Sequence, residues 1–177
     1  KGVMYFDKGD YFNSEKYFLK SEETNIDNSL IYLLKIYEKK KDEVKIKSVL
    51  NTIKEKPPLI FPLAYEYLNG SDTLEKNEER ARNLFEVGAK HEDKMSYLAL
   101  GNIYEHGLGV KINLIKSKSY YEKSGFNLEL KNTLGINYLT FIEGLRYEKG
   151  IDKPKDIDKA KELYKKAMDQ NSRDAYT

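Results

Sequence analysis

The run Tyr97-Leu98-Ala99-Leu100-Gly101-Asn102-Ile103-Tyr104-Glu105-His106-Gly107-Leu108-Gly109-Val110 decides the fold. With Met95 just ahead of it, its apolar residues recur at mixed spacings of two, three and four, close to the 3.6-residue period of a helix with a broad apolar face. Gly107 and Gly109 then end that helix, because glycine takes the left-handed conformation of a C-cap without a steric penalty. A second helix is predicted from about Ile115 to Ser124, with Ile115, Tyr120 and Tyr121 turned inward and Gly125 as its stop. The unit is helix, glycine turn, helix.

Outward from this stretch, the end of the first helix recurs along the chain. An aromatic, two mostly polar residues and then Gly or Lys stand at Phe6–Gly9, Tyr37–Lys40, Tyr67–Gly70, Tyr104–Gly107 and Tyr147–Gly150, at intervals of 31, 30, 37 and 43 residues. A second landmark sits in the second helices, at Tyr17-Phe18, Val49-Leu50, Leu84-Phe85, Tyr120-Tyr121 and Leu163-Tyr164, at intervals of 32, 35, 36 and 43. The two drift together. Both widen at the last step, which puts the extra residues within Phe126 to Tyr138, where the fifth first helix begins early. Pro57-Pro58 separates the second and third copies, and Pro154 precedes the fifth copy's second helix.

Periods of this size mark one supersecondary unit copied in tandem, whose apolar faces are covered only when copies stack. The organisation is therefore one domain over residues 1–177, with copies at about 1–24, 26–56, 59–90, 92–125 and 127–170 and the start of a further helix at 171–177. Slim residues three positions before the landmark aromatic (Val3, Ala64, Gly101 and Gly144, with Leu34 the exception) predict a close helix crossing there. Gly101 and Gly144 would each cost about 1 kcal/mol relative to Ala inside a helix, so packing is their reason.

Composition narrows the function classes. Lys and Arg total 31 against 29 Asp and Glu, and the signs alternate along most segments, which lacks the clustered basic charge of a nucleic-acid footprint. The densest basic stretch, Lys39 to Lys47, has Asp42 and Glu43 inside it and reads as a solvated helix face. There is no cysteine, and no apolar run approaches the roughly 18 residues that span a bilayer. Usage heavy in Lys, Asn and Ile fits an AT-rich bacterial genome, in periplasm or cytoplasm. The chain starts at Lys1 already inside a copy, so it reads as a processed or trimmed segment.

Chemistry has little to work with. His91 and His106 are fifteen apart on different faces of one helical segment and share no metal-ligand spacing. Glu22-Glu23 and Glu78-Glu79 are paired acids near helix ends among polar neighbours, which reads as charge decoration. Gly107-Leu108-Gly109 lacks the strand, third glycine and Lys-Ser/Thr of a phosphate loop. The expectation is no enzyme, no metal and no cofactor.

The run Tyr97 to Val110, followed by Lys116, Tyr120-Tyr121 and Ser124-Gly125, resembles the Sel1-like repeat, a relative of the tetratricopeptide repeat. Gly144-Leu145-Arg146-Tyr147-Glu148-Lys149-Gly150 with Asp158-Lys159-Ala160 and Leu163 to Ala167 resembles it too, as does Ala64 to Gly70 with Ala81, Leu84-Phe85 and Gly88-Ala89. The first two copies are degenerate, and residues 1–56 could equally be called tetratricopeptide-like. The resemblance implies an all-α, right-handed α-α superhelix (solenoid) of about five helix-turn-helix repeats that binds another protein. It implies no reaction. By the same analogy, a bacterial immunity or inhibitor protein that blocks a toxin or enzyme is an alternative, and a carbohydrate-binding envelope module using the Tyr-rich wall is another.

In such an array the concave wall of first helices is the expected docking face. The positions expected there, not consumed by packing between helices, are Tyr32, Lys35, Tyr65, Glu66, Tyr97, Asn102, Tyr138 and Arg146. Tyr37, Tyr67, Tyr104 and Tyr147 read as core knobs instead. The apolar stretch Leu134 to Phe141 is a second candidate face, and an unpaired last helix after Asn171 offers surface for dimerisation.

Overall fold

The computed structural model describes residues 1–20, 26–125, 138–150 and 154–174, with the backbone alone at 26, 138, 139, 142, 143, 146, 149 and 168–174. These residues form ten α-helices and no strand: α1 (Gly2–Asp7), α2 (Tyr11–Lys20), α3 (Ile26–Lys40), α4 (Glu43–Lys54), α5 (Pro57–Asn69), α6 (Glu78–Lys90), α7 (Lys94–His106), α8 (Leu114–Ser124), α9 (Tyr138–Lys149) and α10 (Ile157–Asp174). The chain divides into two compact units, Lys1–Val87 and Gly88–Thr177. In the first, α1 packs on α2 and α3 on α4, and successive hairpins meet through α2–α3 and α4–α5. The rings of Phe61 and Phe85, 5.6 Å apart, join α5 to α6. In the second, α7 packs on α8, α9 on α10, and α7 touches α9. The all-α class and the tandem hairpins are as the sequence predicts; Leu134 to Asn137 lie outside the described residues.

One backbone device recurs in every hairpin. The N–H of an Asp or Asn donates to the carbonyl of the aromatic that closes the first helix: Asp10 to Tyr5 at 2.9 Å, Asp42 to Tyr37 at 3.0 Å, Asn77 to Tyr67 at 2.8 Å, Asn113 to Tyr104 at 2.8 Å and Asp156 to Tyr147 at 3.0 Å. The same residue then caps the second helix. Its side-chain oxygen accepts from the N–H three residues on, at Asn13, Lys45, Arg80, Lys116 and Lys159. A last carbonyl and a first amide, orphaned at any helix end, are thereby satisfied together, and each cap stabilises its helix by about 1 kcal/mol. One turn further in, Ser14, Ile46, Ala81, Ser117 and Ala160 are all buried, and the Ser14 hydroxyl donates to the Gly2 carbonyl of the first helix.

This device corrects the register of the first copy. Tyr5, not Phe6, holds the landmark position, and Gly2, not Val3, marks the close crossing: a Cβ on Gly2 would lie 2.7 Å from the Tyr17 ring, while Val3 is 41% exposed. Ile115, expected inside, is 85% exposed, because the inward positions of α8 are taken by Ser117 and Tyr121. The second copy, which has no turn glycine, puts Lys41 at φ 55 where Gly107 of the fourth copy sits at φ 69.

The predicted close crossings are present in the second unit. A Cβ on Gly101 would lie 2.5 Å from the Tyr121 ring, and one on Gly144 would lie 2.5 Å from the Tyr164 ring. Tyr121 cannot retreat, since it is 1% exposed and its hydroxyl donates to Glu105 Oε2 at 2.7 Å. Gly101→Ala therefore destabilises the protein. The overpacking cost of roughly 1–3 kcal/mol exceeds the ~1 kcal/mol gained in helix propensity, and thermal unfolding should show Tm lowered by about 2–6 °C. An unchanged or raised Tm would mean that α7 and α8 do not cross this closely.

Candidate partner-binding surface

The eight residues expected on the docking wall divide between the units, and their environments differ. On α3, Tyr32 is half-buried, with its ring stacked on Phe18 at 4.8 Å and edge-on to Phe6 at 5.2 Å. Lys35, one turn on, forms an ion pair with Glu66 of α5 at 2.9 Å. Tyr65 is buried beside Phe61, with ring centroids 6.0 Å apart. In the second unit, Tyr97 is half-buried near the ring of Tyr120, with Lys123 Nζ 5.9 Å from its centroid. Asn102 is buried, and its amide lies 3.3 Å from His106 Nδ1. Tyr138 and Arg146 are on α9, their side chains outside the described residues. Tyr65 and Asn102 thus do not stand clear of packing: each first helix is flanked by its own second helix and by the neighbouring hairpin, which leaves little of its surface to water.

The structure brings Lys35 and Glu66 together, and Glu66 is the better-held of the two. Its Oε1 also accepts from the hydroxyls of Ser71 at 2.6 Å and Thr73 at 3.1 Å. Burial pushes the Glu66 carboxyl up, but the Ser71 hydrogen bond and the Lys35 ammonium more than offset this and hold it below its ordinary value.

Two further charge clusters, which spacing alone did not reveal, tie the copies of the first unit together. Glu15 of α2 takes hydrogen bonds from Lys40 and, at 2.9 Å, from Lys45. Glu38 of α3 accepts from the Tyr67 hydroxyl and from Arg80, while Arg80 Nη2 grips both oxygens of Glu43 at 2.9 and 2.7 Å. Burial, then the Glu38 carboxylate, raises the Tyr67 phenol well above its ordinary value. The second unit closes its hairpins instead with a tyrosine hydroxyl on a glutamate: Tyr121 on Glu105, and Tyr164 on Glu148 at 2.6 Å. The sequence signal for these pairs is their common separation of 16 residues.

No helix among the described residues is long and apolar enough to cross a membrane. Among the same residues no group of three or more His, Asp or Glu is placed to hold a metal ion.

The repeat pattern and these hairpins can be set beside known proteins. The Sel1 repeat profile matches residues 61–93, 94–125 and 144–172, more than half of the 177. The chain belongs to the Sel1 repeat family. Two solved structures are similar. One is a protective antigen of uropathogenic Escherichia coli strains displaying an SLR fold, 25% identical over 99% of this chain and 38% of its own, with a TM-score of 0.49. The other is a Sel1 repeat protein from Oxalobacter formigenes, 19% identical over 96% of this chain and 68% of its own, with a TM-score of 0.42. The chain thus spans well under half the length of the antigen. No curated protein sequence matches it. The three Sel1 repeats found this way are the copies whose turn from landmark carbonyl to cap takes nine or ten residues; in the two copies before them it takes five.

The Glu15 cluster carries a pH signature. Burial raises this carboxyl, but the hydrogen bonds and charges of Lys40 and Lys45 dominate and bring it down to about 2 from 4.5. Because the folded-state value is depressed, the stabilisation is complete above pH 4.5 and disappears as pH falls towards about 2. Urea midpoints measured between pH 6 and pH 2.5 should fall more steeply for the native sequence than for Glu15→Gln. Parallel curves would show that the cluster contributes nothing to folding.

Proposed function

We propose that this chain is a non-enzymatic scaffold that docks another protein on the first helices of its hairpins. The observation that carries the reading is the set of Sel1 repeats, a family whose members generally mediate protein–protein interaction. The residues support it in two ways. Glu38, Lys40 and Glu105 on the first helices are engaged in joining one helix to another, as a rigid platform requires. Lys35 and Glu66 in the first unit, a part-exposed charge pair, and Tyr97 in the second, a half-buried aromatic, are side chains of the kinds that form the polar rim and the anchors of interfaces.

In this reading Tyr65 and Asn102 shape the wall from behind, while Tyr32, Tyr138 and Arg146 complete it within their own units. A partner that uses the first unit's face replaces water around Lys35 and Glu66, and one that uses the second unit's face covers the open side of Tyr97. Affinity then comes chiefly from the aromatic, and orientation from the charges.

Pull-down with crosslinking, using the native chain and Lys35→Glu, Glu66→Lys and Tyr97→Ala variants as bait, tests this directly. Captured partner should fall by at least about tenfold for Tyr97→Ala, as for loss of an aromatic anchor, and should also fall for each single charge reversal. Capture undiminished in all three variants, with helical content intact by circular dichroism, would remove the first-helix wall as the docking face.

A further inference from the structure

The sequence holds a single Asn-Gly pair, Asn69-Gly70, and it falls where the last residue of α5 meets its C-cap. This dipeptide carries a reaction of its own. The Gly70 backbone nitrogen, once it has lost its proton, attacks Cγ of Asn69; the side-chain amide leaves as ammonia and a five-membered succinimide closes. Water then opens the ring at either carbonyl. One opening gives aspartate, and the other gives iso-aspartate, in which the backbone runs through the former side chain. Glycine favours the attack because any Cβ on the following residue obstructs it.

The fold sets when this can happen. The Gly70 N–H donates to the Glu66 carbonyl at 2.8 Å, and the Asn69 amide is turned back along the helix, its Nδ2 donating to the Tyr65 carbonyl at 3.1 Å. Nucleophile and target are thus each held by a different carbonyl of α5. The turn beyond them is fastened as well: the Ser71 and Thr73 hydroxyls donate to Glu66 Oε1 at 2.6 and 3.1 Å, the Ser71 N–H donates to the Leu74 carbonyl at 2.8 Å, and Leu74 is buried. These bonds keep Gly70 in place, so ring closure waits for the turn to open. The product does not restore them. A carboxylate at position 69 has no donor for the Tyr65 carbonyl, and it puts negative charge in the last turn of a helix, where cations are favoured. Iso-aspartate also lengthens the backbone just ahead of the Gly70 N–H. We infer that Asn69 is a deamidation site gated by the α5–α6 turn: each opening admits ring closure, and closure leaves the turn permanently loosened. The inference stands whether or not the first-helix wall binds a partner.

Trypsin releases this site in the peptide Glu55–Lys76, since the Lys56–Pro57 bond resists cleavage, and Asn69 is the only amide side chain in that peptide. The full chain is incubated in mildly alkaline buffer, folded or in guanidinium chloride, and the amide-to-acid conversion of the peptide is followed by mass spectrometry, with chromatography separating the iso-aspartyl form. Conversion should run at least about tenfold faster in guanidinium than in the folded chain. Ser71→Ala/Thr73→Val, which removes the hydroxyls that hold the turn to Glu66, should speed the folded-state reaction by about threefold or more and leave the rate in guanidinium unchanged. Asn69→Gln should stay unconverted over the same period, and Asn69→Asp, which carries the product's charge, should melt about 2–4 °C below the native chain. Circular dichroism confirms that the variants fold. Three results would each overturn the inference: no conversion at Asn69 in the unfolded chain; a folded-state rate equal to the unfolded one or indifferent to loss of the two hydroxyls; or an Asn69→Asp chain that melts with the native.

Discussion

Everything in these hairpins depends on one backbone hydrogen bond, from the N–H of a capping Asp or Asn to the carbonyl of the aromatic one helix earlier. It ties the last turn of one helix to the first residue of the next and so fixes where the second helix starts. The cap side chain then sets its direction by taking the amide three residues on. With origin and direction fixed, the residue one turn in must face the first helix, and it is small or slim in four of five cases. The turn between the two bonded residues is free to vary. Lengthening it from five residues to ten costs only about 0.6 kcal/mol in closure entropy, so copies with different turns keep one hairpin geometry. The longer turns are filled locally. Leu74 is buried after the Ser71 hydroxyl has taken the amides of Thr73 and Leu74, and Gly107 admits Ile112 at a distance only glycine allows without strain.

The two units add different fastenings to this shared element. In the second, a glycine lets a tyrosine ring lie against the backbone, and the hydroxyl of that ring reaches a glutamate one residue past the landmark, at Glu105 and at Glu148. Packing and hydrogen bond come from one side chain. In the first unit the equivalent aromatic is weaker or missing, as at Val49-Leu50, and the copies are joined by Glu15 and by the Glu38–Arg80–Glu43 cluster instead. An exposed ion pair is worth only about 0–1 kcal/mol. These are networks, with Glu15 13% exposed and Glu38 18% exposed at the side chain, and each draws together two different copies.

The class and the period were legible because they depend on side-chain pattern alone: aromatics every 30 to 43 residues, glycine after them, slim residues before them. Gly101 and Gly144 announced their crossings because a glycine inside a helix needs a reason. The capping residue was less visible. Its distance from the aromatic is five in two copies and nine or ten in three, so a search for fixed spacing passes over it, and the shift from Phe6 to Tyr5 follows from the same blind spot. Tyr65 and Asn102 look available on one helix's pattern, because a helical wheel counts the neighbours along the helix and not the hairpin that packs across it. The Glu15 and Arg80 clusters join residues 25 to 42 positions apart, a distance at which sequence pattern gives no pairing information for charges.

The same geometry decides which side chains are left for recognition. A first helix is covered by its own second helix, and α3, α5 and α7 contribute no exposed large apolar residue among those described, though Val3 and Met4 of the short α1 are exposed. A second helix is covered mainly on the side that meets its own first helix. Phe12, Tyr17 and Leu19 of α2, Val44 of α4, Leu114 and Ile115 of α8 and Ile157 of α10 are all exposed. Several cluster within two residues of the cap, where the helix has just begun and is least overhung by its partner. Apolar residues there are not required by the hairpin, since the third hairpin fills the same two positions with Glu78 and Glu79. What the fold does not need at a position, it leaves to whatever the surface contacts. In this chain the second helices therefore have more latitude to encode a partner than the first helices that the repeat pattern brings to notice.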